Sequence, residues 1–129
     1  MSLRDQTLEQ QRSSDAYTVI NVTLREKEKD RDQLDALPGK VRINGLLAVS
    51  AWLVKEHKPI EEALLAWLKS SYVLKQGQEK LLLEALKDLD AKAYSLATAE
   101  AIAYATWLKR WKVALYPKVD EKKPDQVKK

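Results

Sequence analysis

The sequence predicts an all-α protein, a compact bundle of about five to six helices around a buried central helix. Three observations predict it. Only three Gly and four Pro occur in 129 residues, and no stretch alternates apolar and polar residues as a half-buried strand would. Apolar side chains recur instead at spacings of three and four, most clearly from Tyr94 to Leu115. Ile43 to Val54, INGLLAVSAWLV, has no charged residue, and only Asn44 and Ser50 are polar. A helix apolar on every side has no face for water and belongs inside a domain. At twelve residues it falls short of the roughly 20 that a membrane span needs.

The elements follow in order. A first helix is expected from Asp5 to Leu24, with Leu8, Ala16, Tyr17, Val19 and Ile20 as its stripe. Arg25 to Asp32, REKEKDRD, alternates in charge sign and reads as a solvated helix face or a loop. Its charges cancel, which argues against a nucleic-acid site. A short helix from Gln33 to Leu37 is expected to stop at Pro38, because the residue before proline is biased away from helix. The apolar helix follows and ends near His57. Gly45 costs about 1 kcal/mol there against Ala, which suggests the close approach of another backbone.

Pro59 suits the first position of the next helix, and Glu61 and Glu62 suit its positive end. Ile60, Ala63, Leu64, Trp67 and Leu68 form its stripe, and Gly77 is expected to stop it. A further helix is expected from Gln78 to Leu89. Asp90 can cap the last helix, whose seam is Tyr94, Ala97, Ala101, Tyr104, Leu108, Trp111 and Leu115, with Pro117 beyond it. Lys92, Ser95, Ala99, Thr106 and Arg110 fall on the opposite face. A single helical domain over residues 1–116 is the expected organisation, with 117–129 a charged, disordered tail.

Composition excludes several chemistries. The chain has no Cys, which removes disulfides, thiolate catalysis and cysteine metal sites and fits a cytoplasmic protein. No apolar signal region opens it. One His, His57, suits a capping or surface role, and no second His could share a metal. No Gly-rich phosphate loop occurs. No Asp or Glu stands out in an apolar setting as a tuned acid or base; Glu100 comes nearest and reads as a buried or semi-buried partner for a nearby Lys or Arg. No catalytic, cofactor or metal site is expected. Trp111, Trp52 and Trp67 read as core, while Trp107 flanks the seam and suits packing or an interface.

The charge distribution is uneven. Residues 38–58 carry four basic side chains and one acidic, as do residues 91–116, whereas residues 1–37 carry six and eight. The positive blocks supply candidate nucleic-acid contacts: Lys40, Arg42, Lys55 and Lys58, with Lys109, Arg110 and Lys112. The competing reading is that these charges complement helix ends.

Two stretches resemble a known family. In LPGKVRINGLLAVSAWL these residues are Pro38, Val41, Asn44, Gly45 and Leu46. In YSLATAEAIAYATWLKRWKVA they are Tyr94, Thr98, Glu100, Ala101, Trp107, Leu108, Lys109, Arg110 and Trp111. In this order and spacing they are similar to the small subunit of the type III-B CRISPR effector, the Cmr complex. LEQQRSSDAY, Leu8 to Tyr17, fits the family's opening helix. The resemblance covers about residues 5–116, although Glu56 to Asp90 matches only in being helical. The family often carries a basic residue after Thr98, where this chain has Ala99. The resemblance implies a non-enzymatic subunit of an antiviral ribonucleoprotein. Such subunits stack with copies of themselves in a short filament. They lie beside the other effector subunits and help position guide and target RNA. Cleavage belongs elsewhere, and no cofactor or membrane is implied. A helical protein–protein scaffold without direct nucleic-acid contact is the alternative.

Overall fold

A computed structural model describes residues 6–117, and the charged tail expected from 117 onward lies, past Pro117, outside the described residues. Among the described residues the regular structure is entirely helical, as the spacing predicts. The helices are α1 (Leu8–Thr18), α2 (Glu28–Arg31), α3 (Leu37–Asn44), α4 (Leu46–Glu56), α5 (Lys58–Ser70), α6 (Leu82–Leu86) and α7 (Ala91–Leu115). A π-helical turn, Val19–Thr23, continues α1. Among the described residues no helix is long and apolar enough to cross a membrane.

The first helix starts at a capping box that the sequence reading overlooked. Thr7 Oγ1 accepts from the Gln10 N–H at 3.1 Å, and Gln10 Oε1 accepts from the Thr7 N–H at 2.8 Å. Two N–H groups that the first turn leaves orphaned are thereby satisfied. Its inner side buries Ala16, and the π turn buries Ile20.

Pro38 starts a helix rather than ending one. It lies in the first turn of α3, where its missing N–H costs no bond and its fixed φ is already helical. The expected helix over Gln33–Leu37 is replaced by turns and the first residue of α3.

The apolar stretch is divided at Gly45, whose φ of 90° and ψ of 153° are nearly closed to any residue with a Cβ. Space is not the reason for glycine here. A Cβ would meet only the Tyr94 hydroxyl, at an ordinary 3.6 Å. Past the break, α4 buries Leu46, Val49, Ser50 and Leu53, while Leu47, Ala48 and Ala51 are exposed. The helix is thus covered along one side only.

The element that the others pack on is α7. It contacts α1, the π turn, α3 and α5, while α4 packs on α3, α5 and α6. Asp90 caps α7 as expected, its Oδ1 accepting from the Ala93 N–H at 2.8 Å. Ala97, Ala101, Tyr104, Ala105 and Leu108 are buried along it. The seam loosens towards its ends, where Tyr94 and Trp111 are partly buried and Leu115 is exposed.

Helix α5 stops at Ser70, seven residues before Gly77, and the chain turns through Tyr72 at φ 63°. Lys69 then holds the following loop by its Nζ, which donates to the carbonyls of Gly77 at 3.2 Å and Glu79 at 2.7 Å. The helix expected over Gln78–Leu89 shrinks to Leu82–Leu86. Its first N–H is satisfied by the fully buried Glu61, whose Oε2 accepts from Leu82 N at 2.6 Å.

Candidate nucleic-acid interface

The seven predicted basic contacts do not share one fate. Arg42, Lys55, Lys109 and Arg110 are exposed. Lys112 is not a surface cation. It is 3% exposed, and its Nζ lies 3.1 Å from Asp35 Oδ2, bracing the end of α7 against the turn before α3. A charge taken from water needs such a partner, and this pairing withdraws Lys112 from the interface. Lys58 opens α5 rather than closing α4, and its Nζ lies 3.0 Å from the buried Glu61. Its charge is committed in part to that carboxylate.

Lys40 is half-buried, its ammonium 3.8 Å from the centre of the Trp52 ring. The two residues face a cleft of about 300 Å³ between α3 and α4, also lined by Asn44, Ala48 and Val49. Helical spacing produces it. Lys40 and Asn44 stand one turn apart on α3, and Ala48, Trp52 and Lys55 follow at i, i+4 and i+7 on α4. The break at Gly45 angles the two helices. Tyr94 fixes the corner from α7, its hydroxyl accepting from the Leu47 N–H at 3.0 Å. The His57 ring packs edge-on against Trp52 with centroids 5.1 Å apart. His57 Nδ1 lies 2.8 Å from Asp30 Oδ1. The lone histidine therefore joins α4 to α2 rather than standing on the surface. Trp52, read as core, is half-buried and presents its ring to the cleft.

The other aromatic cluster lies between α1 and α7. Glu100 sits at its base, 7% exposed, and meets the partner that its setting required. Arg12 Nε donates to Oε2 at 2.6 Å and Nη2 to Oε1 at 2.8 Å, while Trp67 Nε1 donates to Oε2 at 2.8 Å. Burial alone would push the Glu100 carboxyl up. The hydrogen bonds from Arg12 and Trp67 outweigh it and hold the group below the usual carboxylate range. The same hydrogen bond raises Arg12 above its ordinary value. Trp67 stacks on Tyr104 with centroids 5.2 Å apart. Tyr104 donates to Asp15, and burial and that carboxylate raise its phenol well above the ordinary value.

Above this seam Trp111 is held by its indole N–H, which donates to the Ser13 carbonyl at 2.9 Å. Tyr17 packs edge-on against it. With Trp107, these rings line a groove of about 530 Å³, in which Glu9 is the only charged residue among the described ones. Arg110 lies over Trp107 at 4.8 Å. The seven residues thus separate into Lys40 in the cleft, Lys55 three positions beyond Trp52 on α4, Arg42 and Lys109 exposed elsewhere on α3 and α7, Arg110 over Trp107 at the second groove, and two braces.

Among the described residues no cluster of His, Asp or Glu could hold a metal ion. The residues missed from sequence are Asn44 and Trp52. The spacing of Ala48, Trp52 and Lys55 on one helical face was the signal that could have found Trp52, whereas Asn44 ends the preceding helix, across the break at Gly45. A profile described as CRISPR-associated protein (Cas_Cmr5) matches residues 8–115. No curated protein and no solved structure matches the chain.

Proposed function

The chain belongs to the Cas_Cmr5 family, the small subunit of the type III-B Cmr complex, and from that premise we propose a non-catalytic subunit that holds RNA through its α3–α4 corner. As a family member it associates with other Cmr subunits in an effector of antiviral defence. In the proposed role it is cytoplasmic, acts as one helical domain over residues 1–116 and stacks on copies of itself. It lends guide and target RNA a basic surface made by Lys40, Arg42 and Lys55, with Lys109 and Arg110 as a second group. Sequence reading is left to guide pairing, and the protein grips backbone by charge.

One observation carries this reading. Lys40 lines a cleft that has no carboxylate among its described lining residues, and exposed cations stand on the same two helices, Arg42 on α3 and Lys55 on α4. Phosphate contacts release counterions, so each one lost lowers the salt slope of binding by about 0.7 for single strands. Arg42→Ala with Lys55→Ala, built into the assembled effector, should weaken RNA binding regardless of sequence and flatten its salt dependence. Unchanged affinity and slope, with the subunit still incorporated, would overturn RNA contact here. The apolar groove at Trp107 and Trp111 favours the second reading, a subunit that touches only protein. Purified chain should not cleave RNA, and a cleavage activity lost in His57→Ala would contradict the non-catalytic role.

A further inference from the structure

We infer that the cleft between α3 and α4 is a subsite for one nucleotide of single-stranded RNA. Trp52 supplies the stacking face, Lys40 the phosphate contact and Asn44 a hydrogen-bonding amide. This rests on the RNA-holding reading above and adds to it a ring and an amide that charge alone would not call for.

Four features point to a nucleotide. At about 300 Å³ the cleft lies at the small end of ligand sites, the size for one base rather than a peptide. Its lining joins a cation, an amide and an indole to the small walls of Ala48 and Val49. No Asp or Glu is among its described lining residues, so no carboxylate there opposes a phosphate. Asn44 and Ala48, both in its lining, are exposed, so a strand can reach it.

The α1–α7 groove is larger and richer in rings, but among the described residues that line it Glu9 is the only charged one, and a carboxylate repels phosphate. It suits a protein partner better. At the corner, Lys40 covers the Trp52 ring at 3.8 Å. A lysine stem is flexible, and an exposed lysine–indole contact is weaker than a base stacked on indole. The strand can therefore displace Lys40 from the ring, and the freed ammonium gains a phosphate. Asn44 offers both a donor and an acceptor to a base edge, which gives contact without strong sequence choice.

The test uses the full chain and a fluorescent single-stranded RNA of about 12 nucleotides, long enough for such a site. Anisotropy is read at about 50 mM salt and above. Trp52→Ala should weaken binding about tenfold with the salt slope unchanged, within the range known for a lost stack. Trp52→Phe keeps a ring and should stay within about threefold of wild type. Lys40→Ala should weaken binding and lower the slope by about 0.7. Asn44→Asp places a carboxylate at the rim of an intact helix and should weaken binding about tenfold. Circular dichroism checks that each variant folds, and the phenylalanine and aspartate variants carry the test if the alanine variant does not. In a nitrogen-labelled protein, the Trp52 indole signal should move as RNA is added. Absence of binding by the full chain, or binding that leaves this signal and all four affinities unchanged, overturns the subsite. The reading above fails separately, when Arg42→Ala with Lys55→Ala leaves the assembled effector unaffected. A Trp52 variant that binds RNA normally but drops out of the effector makes the cleft a protein contact and also overturns the inference.

Discussion

The α1–α7 seam and the α3–α4 corner use similar side chains to opposite ends. Each sets an indole beside a cation. In the seam the Trp67 N–H and both nitrogens of the Arg12 fork converge on Glu100, which is buried. At the corner Lys40 lies over a half-buried Trp52 ring beside an open cleft. The difference is the carboxylate. A buried acid turns neighbouring donors into a locked network, whereas a cleft without one keeps its cation available. Locked groups hold the fold, and available ones can meet a ligand.

Removing the lock should have the largest effect. Glu100→Ala leaves Arg12 and the Trp67 N–H without their acceptor. Breaking a buried pair costs about 3–5 kcal/mol, and because Arg12 retains some exposure the low end, about 3 kcal/mol, is expected in a urea melt. Acid offers a gentler version. The Glu100 carboxyl is held below its ordinary value, so its stabilisation is present above about pH 4.5 and is lost as pH falls through the lowered value. Melts from pH 6 to 3 should show that loss, and Glu100→Gln should remove this part of it.

Gly45→Ala tests what shapes the corner. Forcing a Cβ into that backbone region should cost about 2 kcal/mol, although the Cβ itself meets no clash. A neutral result would mean that α3 and α4 can join in another way. Trp111→Phe should cost about 1 kcal/mol, the worth of its bond to Ser13, since a ring still packs on Tyr17. Lys40→Ala should change stability by less than about 0.5 kcal/mol, as at other surface positions. A loss above 1 kcal/mol would make Lys40 part of the lock and erase the contrast.

The fold class was legible because helical spacing and chain punctuation agree. Asp90 caps α7 and Pro117 follows its end, and both signals are local. Glu100 was legible as a charge in need of a partner, although its partner, 88 residues away, was not. Pro38 misled because proline is compatible both with the end of a helix and with its first turn, and only tertiary packing chooses. Gly45 misled in the same way, since a positive φ and a tolerated helical glycine look alike in sequence. Trp52 was placed in the core because its neighbours in sequence are apolar. Its neighbours in space, Lys40 and Asn44, come from the helix before. Lys112 looked like its exposed neighbour Lys109, yet a shift of three positions turned it to Asp35.

The reach of α7 bears on when this protein can fold. Its 25 residues form the surface on which α1, α3 and α5 close, and they lie at the far end of the described chain from α1. Arg12 leaves the ribosome 88 residues ahead of Glu100. At about 5–20 residues per second that is a wait of roughly four to eighteen seconds. Through that interval Ala16, Ile20 and the Arg12 guanidinium have no α7 to close on. The nascent chain is expected to remain open to protease and chaperone until α7 is made, and then to close in one step.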